Sequence, residues 1–411
     1  MMSHGRLGIH AVCAALWAWC VLLSFPLITL NVDLVEATNE YYSLGAESSL
    51  VVLSQIGGLA LFLITAAAVF QLRAIQTLAH LSFAAIGILA IFVLSIAIQW
   101  HDDELKTMIG VVYTLLLLVT SLLLSSLWSM SAGDLERFLT GAAIIFCSFG
   151  VAAIAILGWP EGRSVGNIHP NGFATPLLAA FILSQFRPGW ISVVIRLLSI
   201  GMIALVSSRF ALIGCIAAVV AHEATLRPLS LGKTLAAIVA VSAGAAFWGD
   251  IAGVLAIDDP DRGLSSGFSG RDYYWQQSLG AIADHPFGIG FKRTVIGEEG
   301  GHNGYLKTLL EFGVPGGGLI ICFFACIIAA AGLEAIATLG KDRQQHQFAC
   351  ARFGGLVALA FGAFFQPQLL SLGDAFAMSF LFLLFRPRAM SIFPARTDNT
   401  NEIRPEPRSF A

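Results

Sequence analysis

The sequence predicts an all-α, polytopic integral membrane protein of about twelve spanning helices. Both termini are expected inside, with one large outer loop near 250–303. Three observations carry this. Hydrophobic residues make up 57% of the 411 residues and charged residues only 12%, too few charges to build a water-soluble surface. Uncharged apolar runs of about 20 residues, the spanning length, recur along the chain. Lys and Arg fall in alternate connections between those runs, which sets the orientation. An ordinary soluble enzyme and an intrinsically disordered chain are excluded, since both need more charge. A formal net charge of −3 and the lack of a basic run exclude nucleic acid as a partner.

The clearest runs are 7–30, 50–70, 81–99, 108–132, 138–158, 234–249, 318–333 and 353–373. Shorter or interrupted ones are 172–186, 188–207, 209–226 and 375–385. The run at 7–30 is longer than a signal-peptide core and lacks a small-residue cleavage site, so it reads as a retained anchor. With the N-terminus inside, Arg6, Arg73, Arg137, Arg187, Arg227, Lys233, Lys341 and Arg343 fall in cytoplasmic connections. Arg386, Arg388, Arg396, Arg404 and Arg408 then lie in a cytoplasmic tail. The first outer loop carries Asp33, Glu36, Glu40 and Glu47 and no positive residue. Residues 188–226 read as two short spans meeting at Ser207-Ser208-Arg209. A single span would bury Arg209 mid-bilayer, at a cost of at least ~2.5–3.5 kcal/mol, and would send the arginine-bearing tail outside. The expected organisation is one membrane domain over 1–386 and a disordered tail over 387–411.

The interval 250–303 is the longest polar stretch, and loops of that length in compact proteins are usually functional. In and just after it stand SGRDYYW at 269–275, DHPFGIG at 284–290, GHNGYL at 301–306 and LLEFGVPGG at 309–317. Gly-rich turns around Arg271 and His302 suggest backbone shaped to approach a ligand. Arg271 beside Tyr273, Tyr274 and Trp275 suits an anion with an aromatic sugar platform, and equally suits an interfacial belt on lipid head groups. Arg163, Lys292 and Arg293 are outer cations that fit phosphate or a charged acceptor as well as plain solvation. Glu311, near the start of a span, is either paired and functional or snorkelling. Gly313 and Pro315-Gly316-Gly317-Gly318 predict a kink or break there. No metal or other cofactor is expected: Asp258-Asp259-Pro260-Asp261 reads as a solvated acidic turn, and His101, His169, His285 and His302 are too dispersed. The seven cysteines lie in or beside apolar runs and read as small buried hydrophobes.

Taken together, these stretches resemble the O-antigen ligase and polymerase superfamily of membrane glycosyltransferases over about 160–330. The resemblance rests on the Gly-Arg…Trp stretch, the Pro-x-Gly-x-Gly turn at 286–290 and the His-Asn before a Glu-x-Gly helix. Ser208-Arg209 between two short spans and His169-Pro170-Asn171 before another extend it. What it implies is a multi-pass protein of the bacterial inner membrane, embedded in the lipid bilayer with its active site facing the periplasm. Its donor would be an undecaprenyl-diphosphate-linked glycan, transferred with inversion and without a metal. The acceptor would be lipid A-core for a ligase, the first expectation, or another lipid-linked glycan for an O-antigen or exopolysaccharide polymerase. On that resemblance Arg209 and Arg271 neutralise the diphosphate and His302 is the general base. Asn303 orients His302 or binds sugar, and Asn171, Tyr274, Trp275, Arg163, Lys292, Arg293 and Glu311 are secondary substrate-binding candidates. The bland alternative for His302 is a helix cap. A transporter or lipid-linked sugar flippase is the competing class; it predicts internal repeats and ionisable groups at mid-membrane, and neither is visible.

Overall fold

The computed structural model describes residues 83–99, 104–226, 267–291 and 303–386, a few positions inside these ranges excepted, together with scattered helical positions between 232 and 249. The expected spans at 7–30 and 50–70, the Asp258–Asp261 turn, Lys292, Arg293, His302 and the tail lie outside the described residues. Ten helices and no strand are found among the described residues: α1 Phe83–Gln99, α2 Glu104–Leu127, α3 Ala132–Leu157, α4 Pro170–Ser184, α5 Trp190–Leu205, α6 Arg209–Leu226, α7 Gly267–Asp284, α8 Gly304–Ala337, α9 Arg343–Gly362 and α10 Ala375–Leu384. By length and composition α3, α6 and α8 can cross a membrane, and α1, α2, α4, α5 and α10 hold shorter apolar stretches.

Local chemistry sets the boundaries. Ser131 opens α3 by accepting the Asp134 N–H, and Asp342 opens α9 by accepting those of Gln344 and Gln345. The expected hairpin within 188–226 is present as α5 and α6, joined through Ser207 at φ 49°. Charge decided this boundary, because both flanks are equally apolar.

α4 is the central element. Every residue of it except Asn171 and Gly172 is buried, and it packs against α3, α5, α6, α9 and α10. All of α10 is buried too. The outward faces are equally apolar: Val93, Leu94 and Ile98 on α1 and Val193, Val194 and Leu197 on α5 are exposed. Such surfaces suit lipid, where apolar burial gives no drive for helices to associate and close packing of small residues takes over. The α6–α9 contact shows it. Gly214 and Ala218 on α6 face Gly354 and Ala358 on α9, and a Cβ on Gly354 would lie 2.7 Å from the Ala218 carbonyl oxygen.

The end of the bundle remote from Asn303 is held by charge. Glu334 on α8 pairs with Arg352 on α9 at 3.1 Å and also with Arg386, whose guanidinium lies 5.3 Å from the Trp128 ring centroid. Arg352 also donates to the Leu383 carbonyl at 2.8 Å. Arg386, the last residue of the expected membrane domain and grouped with the tail arginines, is folded into the bundle because a carboxylate and an aromatic face await it there. The cysteine expectation also needs correcting. Cys147, Cys215 and Cys350 are buried, but Cys322 and Cys326 are exposed on α8. A thiol is apolar enough to sit on an outward face of a lipid-facing helix.

Candidate functional site

The site is organised by a break in α8. Gly313, at φ 72° and ψ 173°, interrupts the helix, and Pro315 two residues on has no N–H to offer. A continuous helix would pair the Leu310 carbonyl with the Val314 N–H and the Glu311 carbonyl with residue 315. Here Ile289 donates to Leu310 at 2.9 Å and Gly290 to Glu311 at 3.1 Å, while Val314 donates to Pro286 at 2.8 Å. The Pro286–Gly290 turn thus fills the hydrogen bonds that the break leaves open. Its fit needs two glycines: a Cβ on Gly288 would lie 2.5 Å from the Gly313 nitrogen, and one on Gly313 would lie 2.3 Å from the Phe287 carbonyl carbon. The Pro-x-Gly-x-Gly and Glu-x-Gly stretches are therefore two halves of one joint, which fixes the C-terminal end of α7 against α8.

α7 replaces the turn expected around SGRDYYW. The positions that pack, Arg271, Tyr274, Trp275, Ser278 and Ile282, follow helical spacing, while Asp272 and Tyr273 are exposed. Ile282 closes a small apolar cluster with Ile289 and Leu310 beside the joint. Tyr274 and Trp275 share the Arg271 face, as an aromatic platform requires. A ring also reaches the guanidinium from another element: Arg271 Cζ lies 5.7 Å from the centroid of Phe365, in the turn after α9. Burial, and next the positive charge of Arg209, lower the Arg271 pKa. The second cause places the two guanidiniums within electrostatic reach of each other, from helices remote in sequence.

Arg209 is the first residue of α6, and the bend before it is tied down twice. Arg163 donates to the Ser207 carbonyl at 2.8 Å, and Ser208 donates to Asn171 Oδ1 at 3.2 Å. Arg163 and Asn171, read from sequence as ligand contacts, thus have partners that fix the hairpin carrying Arg209. His169 caps α4, its Nδ1 accepting the Asn171 N–H at 3.2 Å.

Asn303 caps α8, its Oδ1 accepting from Tyr305 at 3.0 Å and Leu306 at 3.1 Å. The cap function considered for His302 therefore belongs to its neighbour. Gly304 donates to the Ala363 carbonyl at 2.8 Å, and Tyr305 donates its hydroxyl to Ala360 at 2.6 Å, so the turn after α9 wraps the start of α8. That turn brings Phe365 under Arg271 and the Gln366 backbone against Gly304. One and two helical turns below Asn303, Lys307 and Glu311 are buried and line a small cavity with Thr308, Tyr113, Phe291, Pro367, Leu369 and Leu370. Glu311 faces this cavity rather than reaching for an interface.

Sequence reasoning missed Lys307, Tyr113, Phe365 and Gln366. An i, i+4 Lys–Glu pair in an apolar helix was a legible signal for the first. The other three sit in runs that read simply as span. Among the described residues no three His, Cys, Asp or Glu side chains gather as a metal site. No curated protein matches the chain. A family model described as O-antigen ligase matches residues 172–321, a stretch that holds Arg209, Arg271, the Pro286–Gly290 turn, Asn303 and Glu311. Over that stretch the chain is similar to the O-antigen ligase family.

Proposed function

We propose that the protein is a membrane glycosyltransferase of the bacterial inner membrane that moves a glycan from undecaprenyl diphosphate to lipid A-core on the periplasmic face. The convergence of Arg209 and Arg271 carries this reading. Two cations whose charges act on each other, one of them desolvated, favour an anion that both can meet. Guanidinium forks match the oxygens of a diphosphate, whose negative charge grows as the anomeric C–O bond breaks. The acceptor hydroxyl attacks the opposite face of the anomeric carbon, and His302, next to the capped start of α8, takes its proton. Inversion follows from this single displacement, and the two arginines do the neutralising work that a divalent cation does elsewhere. Tyr274 and Trp275 offer apolar faces to sugar rings, and Lys292 and Arg293 suit a phosphorylated acceptor.

The test uses purified protein with undecaprenyl-diphosphate glycan and lipid A-core, read as a gel shift of the core. Transfer to the core supports ligation. Growth of lipid-linked glycan without transfer to the core would reassign the protein as a polymerase with the same donor. Passage of lipid-linked sugar across proteoliposomes, indifferent to Arg209→Ala and Arg271→Ala, would replace both with a flippase.

A further inference from the structure

We propose that Gln366 is a donor-binding residue whose amide N–H groups hydrogen-bond a hydroxyl of the sugar being transferred. The inference rests on the transferase reading above and adds a contact that sequence did not suggest. Gln366 is only 4% exposed, yet its Nε2 has no hydrogen-bond partner among the described residues. A buried amide donor left unpaired carries an uncompensated desolvation cost, so such a group calls for a partner that arrives later.

Its place identifies that partner. The preceding residue, Phe365, lies under the Arg271 guanidinium. The carbonyl oxygen of Gln366 itself is 2.9 Å from where a Cβ on Gly304 would stand, directly after the Asn303 cap. Gln366 therefore lies between the cationic part of the site and the start of α8. In the proposed reaction the diphosphate occupies the first and the acceptor with its base the second, which leaves the transferred sugar between them. A neutral amide with two N–H donors matches a neutral hydroxyl, and it adds no charge beside the two arginines. Pro367 fixes the backbone directly after it and holds the turn in place.

The experiment compares the parent with Gln366→Met and Gln366→Leu in donor and acceptor kinetics, in inhibition by sugar-free undecaprenyl diphosphate, and in thermal unfolding. Both variants remove the donors while keeping bulk. The expected result is a donor KM raised about tenfold, the factor typical of one lost neutral hydrogen bond. Acceptor KM and undecaprenyl-diphosphate inhibition should stay at parental values, and thermal stability should be equal or higher. Parental donor kinetics in both variants would overturn the assignment. Equal weakening of undecaprenyl-diphosphate inhibition would move the contact to the diphosphate. A fall in kcat alone, with a displaced pH profile, would mean that Gln366 serves His302. Unfolding of both variants would show a structural partner and overturn the proposal as well. A parent that transfers glycan from no lipid-linked donor would instead defeat the transferase reading, and this inference with it.

Discussion

Arg271 is held where its charge is costly, half-buried over Phe365 and within reach of Arg209. That arrangement makes sense for a cation that meets an anion in part of its working cycle. Arg271→Lys keeps the charge but loses the planar fork, so transfer should fall even where donor still binds. Arg209→Ala should be at least as damaging. Wild-type transfer by a folded alanine variant at either position would reduce that arginine to a lipid anchor. The neighbouring pair His302 and Asn303 separates chemistry from capping. His302→Ala should lower catalysis by roughly 10²–10⁴, the range for losing a positioned general base, with donor binding retained. Asn303→Ala should instead cost about 0.5–2 kcal/mol of stability through the lost cap, read as a lower Tm. If the two effects exchange places, with His302→Ala unfolding the protein and Asn303→Ala abolishing turnover, the assignment of roles is wrong.

Among elements, the α7–α8 joint shows what sequence can and cannot disclose. The break at Gly313 was legible because Gly and Pro punctuate an otherwise apolar helix. The partner of that break was not, since nothing local links Pro286 to Val314. α7 was hidden within the polar interval 250–303, because glycines cluster at its start and suggest turns there while only its packing face repeats at helical spacing. The run at 353–373 hid the end of α9 at Gly362 and the turn that follows, because that turn is as apolar as a span. Gly288→Ala should cost roughly 1–3 kcal/mol for forcing a side chain into positive φ, and the backbone overlap adds to that. The expected readouts are a lower Tm and reduced transfer with insertion intact; an unchanged Tm would mean the joint is not needed. A second element-level test concerns Asp374, which caps α10. Burial raises its carboxyl pKa to about 6, against two backbone N–H donors that act the other way. Between about pH 4, its ordinary range, and that value, the folded protein keeps a proton that the unfolded chain has lost. Stability contributed here is thus lost as pH rises through that window and is flat above it. Asp374→Asn keeps the cap and removes the charge, so thermal unfolding near neutral pH should shift upward and its pH dependence should flatten. A lower Tm for the variant at neutral pH would show that the carboxylate is needed as such.

For the whole molecule, orientation decides whether the chemistry is possible at all. Arg209, Arg271, Asn303 and the turn after α9 lie at one end, while Lys341, Asp342 and the Glu334–Arg352–Arg386 group lie at the other. Positive residues concentrate in the connections at the second end, which should therefore be cytoplasmic, leaving the first end on the opposite face, where the proposed reaction needs it. Tyr273 is exposed on α7 and Lys341 is exposed between α8 and α9, so a cysteine at either position is reachable from water. In a background without Cys322 and Cys326, Tyr273→Cys should react with a membrane-impermeant maleimide in intact spheroplasts. Lys341→Cys should react only after permeabilisation. The reverse pattern would put both arginines in the cytoplasm, away from a periplasmic acceptor, and lipid A-core ligation would be untenable whatever the residue-level kinetics had shown. With the expected pattern, chelation gives the complementary test of the electrostatics. If Arg209 and Arg271 supply the positive charge that the leaving diphosphate needs, EDTA should leave transfer unchanged. Activity abolished by EDTA and restored by magnesium or manganese would transfer that role to a bound cation, and Asp258, Asp259 and Asp261 would be the first ligands to substitute.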